Sequence, residues 1–159
     1  MIRIKERTAC FTGHRAIPWT EKRRIEKRTE EALIEAIERG YCFFGAGGAL
    51  GFDTLAAQTV LKLKKKYPHI KLILVLPCVS QTRGWKQDDI EEYERIKAAA
   101  DKVVYTSQEY TQDCMFKRNR HLVDNSSLCI AYLTKHTGGT AYTANYARAK
   151  GITVVNVAE

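Results

Sequence analysis

The residues from Gly45 to Thr54 combine four glycines, one hydroxyl group and one carboxylate in an arrangement that suits the binding of an anion. They follow a short apolar run at 41–44, typical of a buried strand, and lead into apolar residues at helical spacing. Such a connection leaves unpaired N–H groups at the positive end of the helix, and glycines let a phosphate approach them closely. The alternative is a tight turn that binds no ligand. The candidate ligand-binding residues of this turn are Gly47, Gly48, Gly51 and Asp53.

Two further stretches carry side chains and amides that suit a phosphate. Gly138-Gly139-Thr140 is a second glycine turn before a predicted helix, and Thr140 either binds a phosphate or caps that helix. Gly13-His14-Arg15 follows the first apolar run of the chain. Arg15 suits an anion, or it pairs with a neighbouring loop. His14 is either a proton donor near neutral pH or a capping side chain.

A predicted helix near residue 118 places a cation and an amide at the edge of an apolar face. At 100° per residue, that face consists of Met115, Phe116, Leu122 and Val123. Asn119 falls near its middle and needs hydrogen-bond partners from backbone or ligand, since a buried unsatisfied amide costs roughly 1–3 kcal/mol. Arg118 lies on its flank, where it either forks onto a phosphate or carboxylate or forms a surface salt bridge.

Two other residues have a structural and a functional interpretation. Asp53 in a first helical turn stabilises the helix through its dipole by roughly 0.3–1 kcal/mol, or it accepts hydrogen bonds from ribose hydroxyls. Trp85 either stacks on a base or covers the edge of the core.

Strands and helices alternate along the chain. Strands are predicted at 7–12, 41–44, 71–76, 102–106, 127–133 and 152–157. Helices are predicted at 20–39 with Thr20 as N-cap and Gly40 as terminator, from 52 to the Tyr67-Pro68 pair, and at 88–100, 112–125 and 141–150. This alternation predicts one α/β domain over residues 1–159, a doubly wound, mainly parallel sheet with helices on both faces.

The predicted fold gathers the polar and glycine-rich stretches at one edge. In open parallel sheets, ligands bind outside the carboxyl ends of the strands. The segments expected there are 12–15, 45–53, 77–85, 106–113 and 134–140.

The composition limits the classes of protein to which this chain can belong. The chain has 159 residues, 45% hydrophobic and 28% charged, and no apolar stretch near the roughly 18 residues that span a bilayer. Residues 1–7 lack the apolar core of a signal peptide, so we expect a cytoplasmic protein that does not contact membranes. The five cysteines are widely spaced and form no metal-binding pattern, so neither disulfides nor a zinc site is expected. No cofactor and no other metal are expected. The net charge of +8 favours nucleic acid or a small polyanion, or reflects solvated helix faces.

Several motifs, in order, resemble those of the YpsA family. They are Thr12-Gly13-His14-Arg15, the stretch from Gly47 to Ala57, Met115–Arg120, Val123-Asp124, and Gly138-Gly139-Thr140 with Tyr146-Ala147. The resemblance covers nearly the whole chain. It implies a Rossmann-like fold of the SLOG superfamily, which also holds DprA and the Lonely-guy phosphoribohydrolases. It further implies a nucleotide or nucleotide-derived ligand, of nucleoside phosphate or ADP-ribose type, bound in a sensor or regulatory module. Helix pairing in this superfamily implies a homodimer.

The superfamily also implies two alternative functions. Lonely-guy enzymes cleave the N-glycosidic bond of nucleoside monophosphates, and Met115-Phe-Lys-Arg118 matches their Met-x-x-Arg motif. Thr137 and Thr143 stand where their glycine turn has proline and glutamate, so Asp53 or Asp124 would have to supply the carboxylate. Arg118 and Asp53 are therefore the catalytic candidates of a phosphoribohydrolase. The second alternative is single-stranded DNA binding in the manner of DprA.

Overall fold

The structure, a computed structural model, describes residues 3–159; residues 1 and 2 of the N-terminal segment considered above lie outside it. A short 3-10 helix at Ile4–Arg7 precedes the first strand. The strands are β1 Thr8–Gly13, β2 Phe43–Ala46, β3 Lys71–Leu76, β4 Lys102–Tyr105, β5 Leu128–Tyr132 and β6 Thr153–Asn156. The helices are α1 Lys22–Glu38, α2 Phe52–Lys64, α3 Gln87–Ala99, α4 Cys114–Asp124 and α5 Gly139–Ala149.

The six strands form one parallel sheet in the order β4-β3-β2-β1-β5-β6. The chain moves outward from β1 to β4 and returns through α4 to place β5 on the other side of β1. The carboxyl ends of β1 and β5 are therefore the switch point of a doubly wound sheet. Gly13 is opposite Tyr132 in the register of these two strands. The predicted Rossmann-like α/β fold is confirmed.

Helices cover the sheet on both sides. Residues of α1, α2 and α3 pack with the sheet in the larger core cluster, where the Phe11 ring lies 6.4 Å from Phe44 and 6.3 Å from Phe52. Residues of α4 and α5 pack on the opposite side in a smaller cluster that includes Leu122 and Ala147. Burial of these apolar side chains supplies the main favourable free energy of the fold.

Two element boundaries differ from the predictions for identifiable reasons. Thr20 was expected to cap α1, but Glu21 takes that position because its N–H donates to Pro18 O at 2.9 Å in a preceding turn. Strand β2 occupies 43–46 rather than 41–44, so Gly45 lies inside a strand. A Cβ on Gly45 would lie 2.9 Å from Leu122 Cδ2, so this glycine allows α4 to pack closely on the sheet.

The other predicted boundaries agree within a few residues. Helix α1 ends before Gly40, whose φ of +99° continues the chain as glycine termination predicts. All five cysteines are buried with free thiols. Within residues 3–159, none of the helices combines the length and apolar composition needed to cross a membrane.

Candidate functional site

A cavity of about 500 Å³ lies at the switch point, above the carboxyl ends of β1 and β5. Four segments supply its walls: the end of β1, the β2–α2 turn, the first turns of α4 and the β5–α5 loop. Its lining residues are Thr12, Gly13, His14, Arg15, Ala49, Asp53, Met115, Phe116, Arg118, Asn119, Lys135, Thr137, Gly138, Gly139 and Thr140. The turns at 45–54 and 138–140 thus face a common cavity, as the sequence predicted.

Three predicted ligand-binding glycines, Gly47, Gly48 and Gly51, do not line this cavity. Each is in close contact with other parts of the protein instead. A Cβ would lie 2.4 Å from Arg118 Nη1 at Gly47, 2.5 Å from Leu76 Cδ2 at Gly48, and 2.2 Å from the Arg15 carbonyl oxygen at Gly51. The structure explains these glycines by packing.

Two amides of the same turn also have acceptors within the protein. Ala49 N–H donates to Asp53 Oδ2 at 3.2 Å, and Phe52 N–H at the start of α2 donates to His14 O at 3.1 Å. The positive end of α2 is therefore closed by the β1–α1 connection. The β2–α2 turn contributes Ala49 and the Asp53 carboxylate to the cavity.

Arg118 is the buried cation of the site, with only 4% of its surface exposed. Its Nη1 donates to Gly47 O, Nε donates to Asn119 Oδ1 at 2.6 Å, and Nη2 lies 3.8 Å from Met115 Sδ. Burial lowers the pKa of the guanidinium, and the Asp53 carboxylate opposes that shift. Arginine nevertheless stays charged in proteins, so the cavity wall holds a fixed positive charge.

The positions of Arg118 and Asn119 correct the helical-wheel prediction. Asn119 was expected at the centre of the buried face, yet it is only half-buried while Arg118 is buried. Phe116, assigned to the apolar face, is 40% exposed. The buried face runs through Cys114, Arg118 and Leu122, which are four residues apart. That spacing was visible in the sequence, but a charged side chain was not expected inside it.

Asp53 is the buried carboxylate of the site, 6% exposed. Within residues 3–159, the hydrogen bond from Ala49 N–H is the only one that its side chain accepts, and none of the ion pairs there includes it. Burial raises the pKa of the carboxyl, whereas Arg118, the Ala49 amide and Arg15 oppose the shift. A desolvated carboxylate with an oxygen to spare is a strong acceptor for a ligand hydroxyl. Asp124, the other carboxylate considered, lies outside the cavity and accepts from Tyr146 OH at 2.8 Å.

The N-terminus of α5 faces the cavity without a side-chain cap. Tyr142 N–H donates to Gly138 O at 3.0 Å, so the amides of Gly139, Thr140 and Ala141 precede the first intrahelical bond. Gly138 has a φ of +99°, and a Cβ at Gly138 or Gly139 would meet nothing within 4 Å. These amides and the helix dipole form an anion-binding end that is open to its surroundings.

His14 joins the two sides of the switch point. Its Nε2 accepts from Thr134 N–H at 2.9 Å, and its ring lies 5.6 Å from that of Tyr132. An accepting ring nitrogen requires the neutral imidazole. Burial and the neighbouring Lys135 lower the pKa of His14, which favours that form. His14 thereby holds the β5–α5 loop against the end of β1.

Some lining residues were missed at the sequence level. Lys135 and Thr137 lie in the β5–α5 loop and carry no signal beyond their position before a glycine turn. Trp85 does not line the cavity; its ring packs edge-on against Tyr93 at 5.6 Å, at the border of the core. The segments at 77–85 and 106–113 contribute no lining residue to this cavity.

The parallel sheet, its switch point and the cavity above it define a Rossmann-like α/β protein with a cleft at its carboxyl edge. A sequence model of the YpsA family, described as the YspA SLOG family, matches residues 11–153. The chain therefore belongs to this SLOG family, which confirms the resemblance seen in its motifs.

Relatives in Bacillus species are similar over most of the chain. The SPbeta prophage-derived protein YoqJ of Bacillus subtilis (strain 168) is 33% identical over 132 residues, which cover 74% of this chain and 77% of that protein. A UPF0398 protein of Bacillus thuringiensis (strain Al Hakam) is 32% identical over 130 residues, covering 80% of this chain and 71% of that protein.

Two solved structures share the fold. DNA processing protein A (DprA) from Streptococcus pneumoniae superposes with a TM-score of 0.70 at 18% identity, covering 95% of this chain and 50% of that chain. DprA from Helicobacter pylori, described for its single-stranded DNA binding mode, gives a TM-score of 0.66 at 17% identity. The match covers 95% of this chain and 65% of that chain. At these identities the similarity shows the fold alone, and this chain spans less than two thirds of either DprA chain.

Proposed function

We propose that this protein binds a nucleotide or nucleotide-derived ligand, such as a nucleoside phosphate or ADP-ribose, in the cavity at the switch point. The observation that carries the proposal is the pairing of an uncapped helix N-terminus with a buried arginine and a buried carboxylate in one cavity of about 500 Å³. An anion-binding end and a hydroxyl acceptor, on separate walls, suit a phosphate linked to a sugar.

In this proposal, the phosphate of the ligand lies at the N-terminus of α5. The amides of Gly139 and Thr140 and the Thr140 hydroxyl supply donors, and the exposed Arg15 and Lys135 add positive charge at the rim. The helix dipole and charge-assisted hydrogen bonds stabilise a divalent anion bound there.

The sugar and base belong towards α4. Asp53 accepts from sugar hydroxyls, and Arg118 stabilises the carboxylate and any further phosphate. Phe116 lines the cavity with its ring 40% exposed, which offers a face for stacking of the base. The assignment therefore accounts for each charged group in the cavity.

The residues of the α5 turn favour ligand binding, as in a sensor or regulatory module, over catalysis. Thr143 stands where the Lonely-guy motif has glutamate; it is buried, and its hydroxyl donates to Gly139 O at 2.9 Å. The hydroxyl is thus occupied within the helix, and this position offers no acid or base to a substrate.

Gly139→Asp tests the phosphate position with a matched neutral control, Gly139→Asn. A Cβ at Gly139 has no atom of another part of the protein within 4 Å, so the position has room for either side chain. The aspartate carboxylate repels a phosphate at the helix end but favours the helix itself by roughly 0.3–1 kcal/mol. We expect Gly139→Asp to weaken AMP or ADP-ribose binding at least about tenfold in isothermal titration calorimetry, with the melting temperature unchanged or raised.

The asparagine variant separates charge from shape. Gly139→Asn should bind within about threefold of the wild type, because it adds the same volume without the charge. Equal affinities for all three proteins would show that the phosphate does not lie at α5. An absence of saturable binding of nucleoside mono- and diphosphates and ADP-ribose to the wild type would contradict the proposed function itself.

A second candidate function, single-stranded DNA binding, is favoured by a row of exposed and half-buried aromatic side chains beside the cavity. Phe116, Tyr142 and Tyr146, which we call the aromatic row, continue from the cavity wall along α5 with ring centroids 5.0 and 6.4 Å apart. Arg120 Nη1 lies 3.4 Å from Tyr142 OH, and Lys150 Nζ lies 5.4 Å from the Tyr146 ring centroid. Aromatic faces with adjacent cations are the elements that bind single strands without sequence preference.

Substitution of Tyr142 distinguishes the two functions. If the aromatic row binds a single strand, Tyr142→Ala should weaken the binding of a fluorescent oligo-dT by roughly 5- to 150-fold in anisotropy titrations, since each stacked base contributes about 1–3 kcal/mol. The affinity for AMP should change little, and oligo-dT binding should fall steeply with salt. An unchanged affinity of this variant for oligo-dT would remove the second candidate.

A further inference from the structure

Residues 3–159 leave one face of the sheet incompletely covered on the side of α4. Parallel sheets are normally buried on both faces. Here the face formed by β2, β3 and β4 presents Phe43, Ile73 and Val104, each half-buried, to a groove beside α4. The groove holds a cavity of about 420 Å³ and continues into a second of about 320 Å³ that shares Val104 and His121 with it. We call this continuous space the α4 groove.

The α4 groove has the width of one helix. Leu122 of α4 lies over Gly45 of β2, because a Cβ on that glycine would be 2.9 Å from Leu122 Cδ2. Strands lie about 4.8 Å apart, so β4 is roughly 9.6 Å from β2. Packed helices are separated by about 8–10 Å. A helix placed beside α4 would therefore lie over β4 and cover the exposed apolar side chains.

The border of the groove is positively charged. Lys5 and Lys102 line the first cavity, and Lys117 and Arg120 line the second. The one carboxylate among the described lining residues, Asp124, already accepts a hydrogen bond from Tyr146 OH. An apolar floor between cationic borders complements a helix with an apolar stripe between acidic flanks.

We propose that the α4 groove is a docking surface for an acidic amphipathic helix of a partner protein. Such a helix replaces the missing cover of the sheet and pairs its carboxylates with Lys5, Lys102, Lys117 and Arg120. A second copy of this chain meeting through the same face would place these cations opposite themselves, and like charges at an interface are unfavourable. The surface is independent of the nucleotide cavity at the switch point, since the two share no lining residue.

Binding of a designed peptide tests the proposal. The probe is a fluorescein-labelled, 18-residue helical peptide with a leucine stripe and glutamate flanks, and its control has lysines for the glutamates. In anisotropy titrations, we expect the acidic peptide to bind saturably and the lysine control not to bind. The double variant Lys102→Glu/Lys117→Glu changes exposed side chains and should weaken binding at least tenfold. Val104→Asn, which places an amide in the apolar floor, should weaken it at least fivefold.

The control for general charge attraction is Lys22→Glu/Lys27→Glu, which makes the same charge change on exposed positions of α1. It should alter peptide affinity less than threefold. An equal loss in both double variants, or no saturable binding of the acidic peptide, would overturn the proposal. Sedimentation that shows a wild-type dimer and a monomeric Val104→Asn variant would also overturn it, because the occupant would then be a second copy.

Discussion

Gly51→Ala is expected to destabilise the fold more than any other single methyl addition at its glycines. Gly51 has a φ of +80°, and a Cβ would lie 2.2 Å from the carbonyl oxygen and 2.6 Å from the Cα of Arg15. These are backbone atoms of the β1–α1 connection, so no side chain can rotate away. Strain at positive φ costs roughly 1–2 kcal/mol, and overpacking adds roughly 1–3 kcal/mol. Urea unfolding followed by circular dichroism should show a loss of about 3 kcal/mol or more.

Gly151→Ala is the matched control. Gly151 has a φ of +79°, yet a Cβ there would meet nothing within 4 Å. The alanine variant therefore has the strain of a positive φ without a close contact. We expect its free energy of unfolding to fall by roughly 1–2 kcal/mol. Similar losses for the two variants would mean that the contact with Arg15 does not constrain the β2–α2 turn.

Arg118→Met is expected to reduce both ligand affinity and stability. Methionine keeps the aliphatic stem of the side chain but removes the guanidinium, with its donors to Gly47 O and Asn119 Oδ1 and its charge near Asp53. Loss of hydrogen bonds from a buried charged donor costs roughly 1–3 kcal/mol, and loss of the charge adds to the desolvation cost of the Asp53 carboxylate. Under the proposed function, loss of a charged hydrogen-bond donor weakens nucleotide binding by roughly 10- to 100-fold. Calorimetric titration and urea unfolding at pH 7.5 measure the two effects.

The stability loss should depend on pH with a definite sign. Without Arg118, the pKa of the Asp53 carboxyl in the folded state rises further above its ordinary value of 3.8. A raised folded pKa of an acid means that the folded state binds the proton more tightly than the unfolded chain. The penalty is therefore present at neutral pH and shrinks as pH falls towards 3.8. Arg118→Met/Asp53→Asn should recover part of it at pH 7.5; equal stabilities of single and double variants would contradict the electrostatic account.

Much of the fold could be predicted because its signals are local. The continuous apolar run of β3 and the glycine after α1 each act within a few residues. The position of β2 could not be predicted, because Gly45 belongs to the strand only through its contact with Leu122 of α4. A glycine in a glycine-rich stretch has the local signature of a turn, so tertiary packing decided that boundary.

The candidate site shows the same division. Gly138-Gly139-Thr140 was recognisable as a candidate because its signature is local: two glycines stand at the start of a helix that has no side-chain cap. The roles of Gly47 and Gly51 depend on Arg118 and Arg15, which are distant in sequence, so their packing function was hidden. Burial of Arg118 was missed for a related reason, since its carbonyl acceptor at Gly47 is known only once the chain is folded.

The open environment of Gly139 has a consequence for how the protein can change by mutation. A new side chain at this position enters the space above the sheet and leaves the interior undisturbed, whereas the positive φ of Gly138 and Gly51 strains any residue other than glycine. Under the proposed function, mutation at Gly139 would therefore change ligand preference at the tip of α5 with little effect on the stability of the scaffold. The site would then acquire specificity for other molecules without passing through poorly folded intermediates.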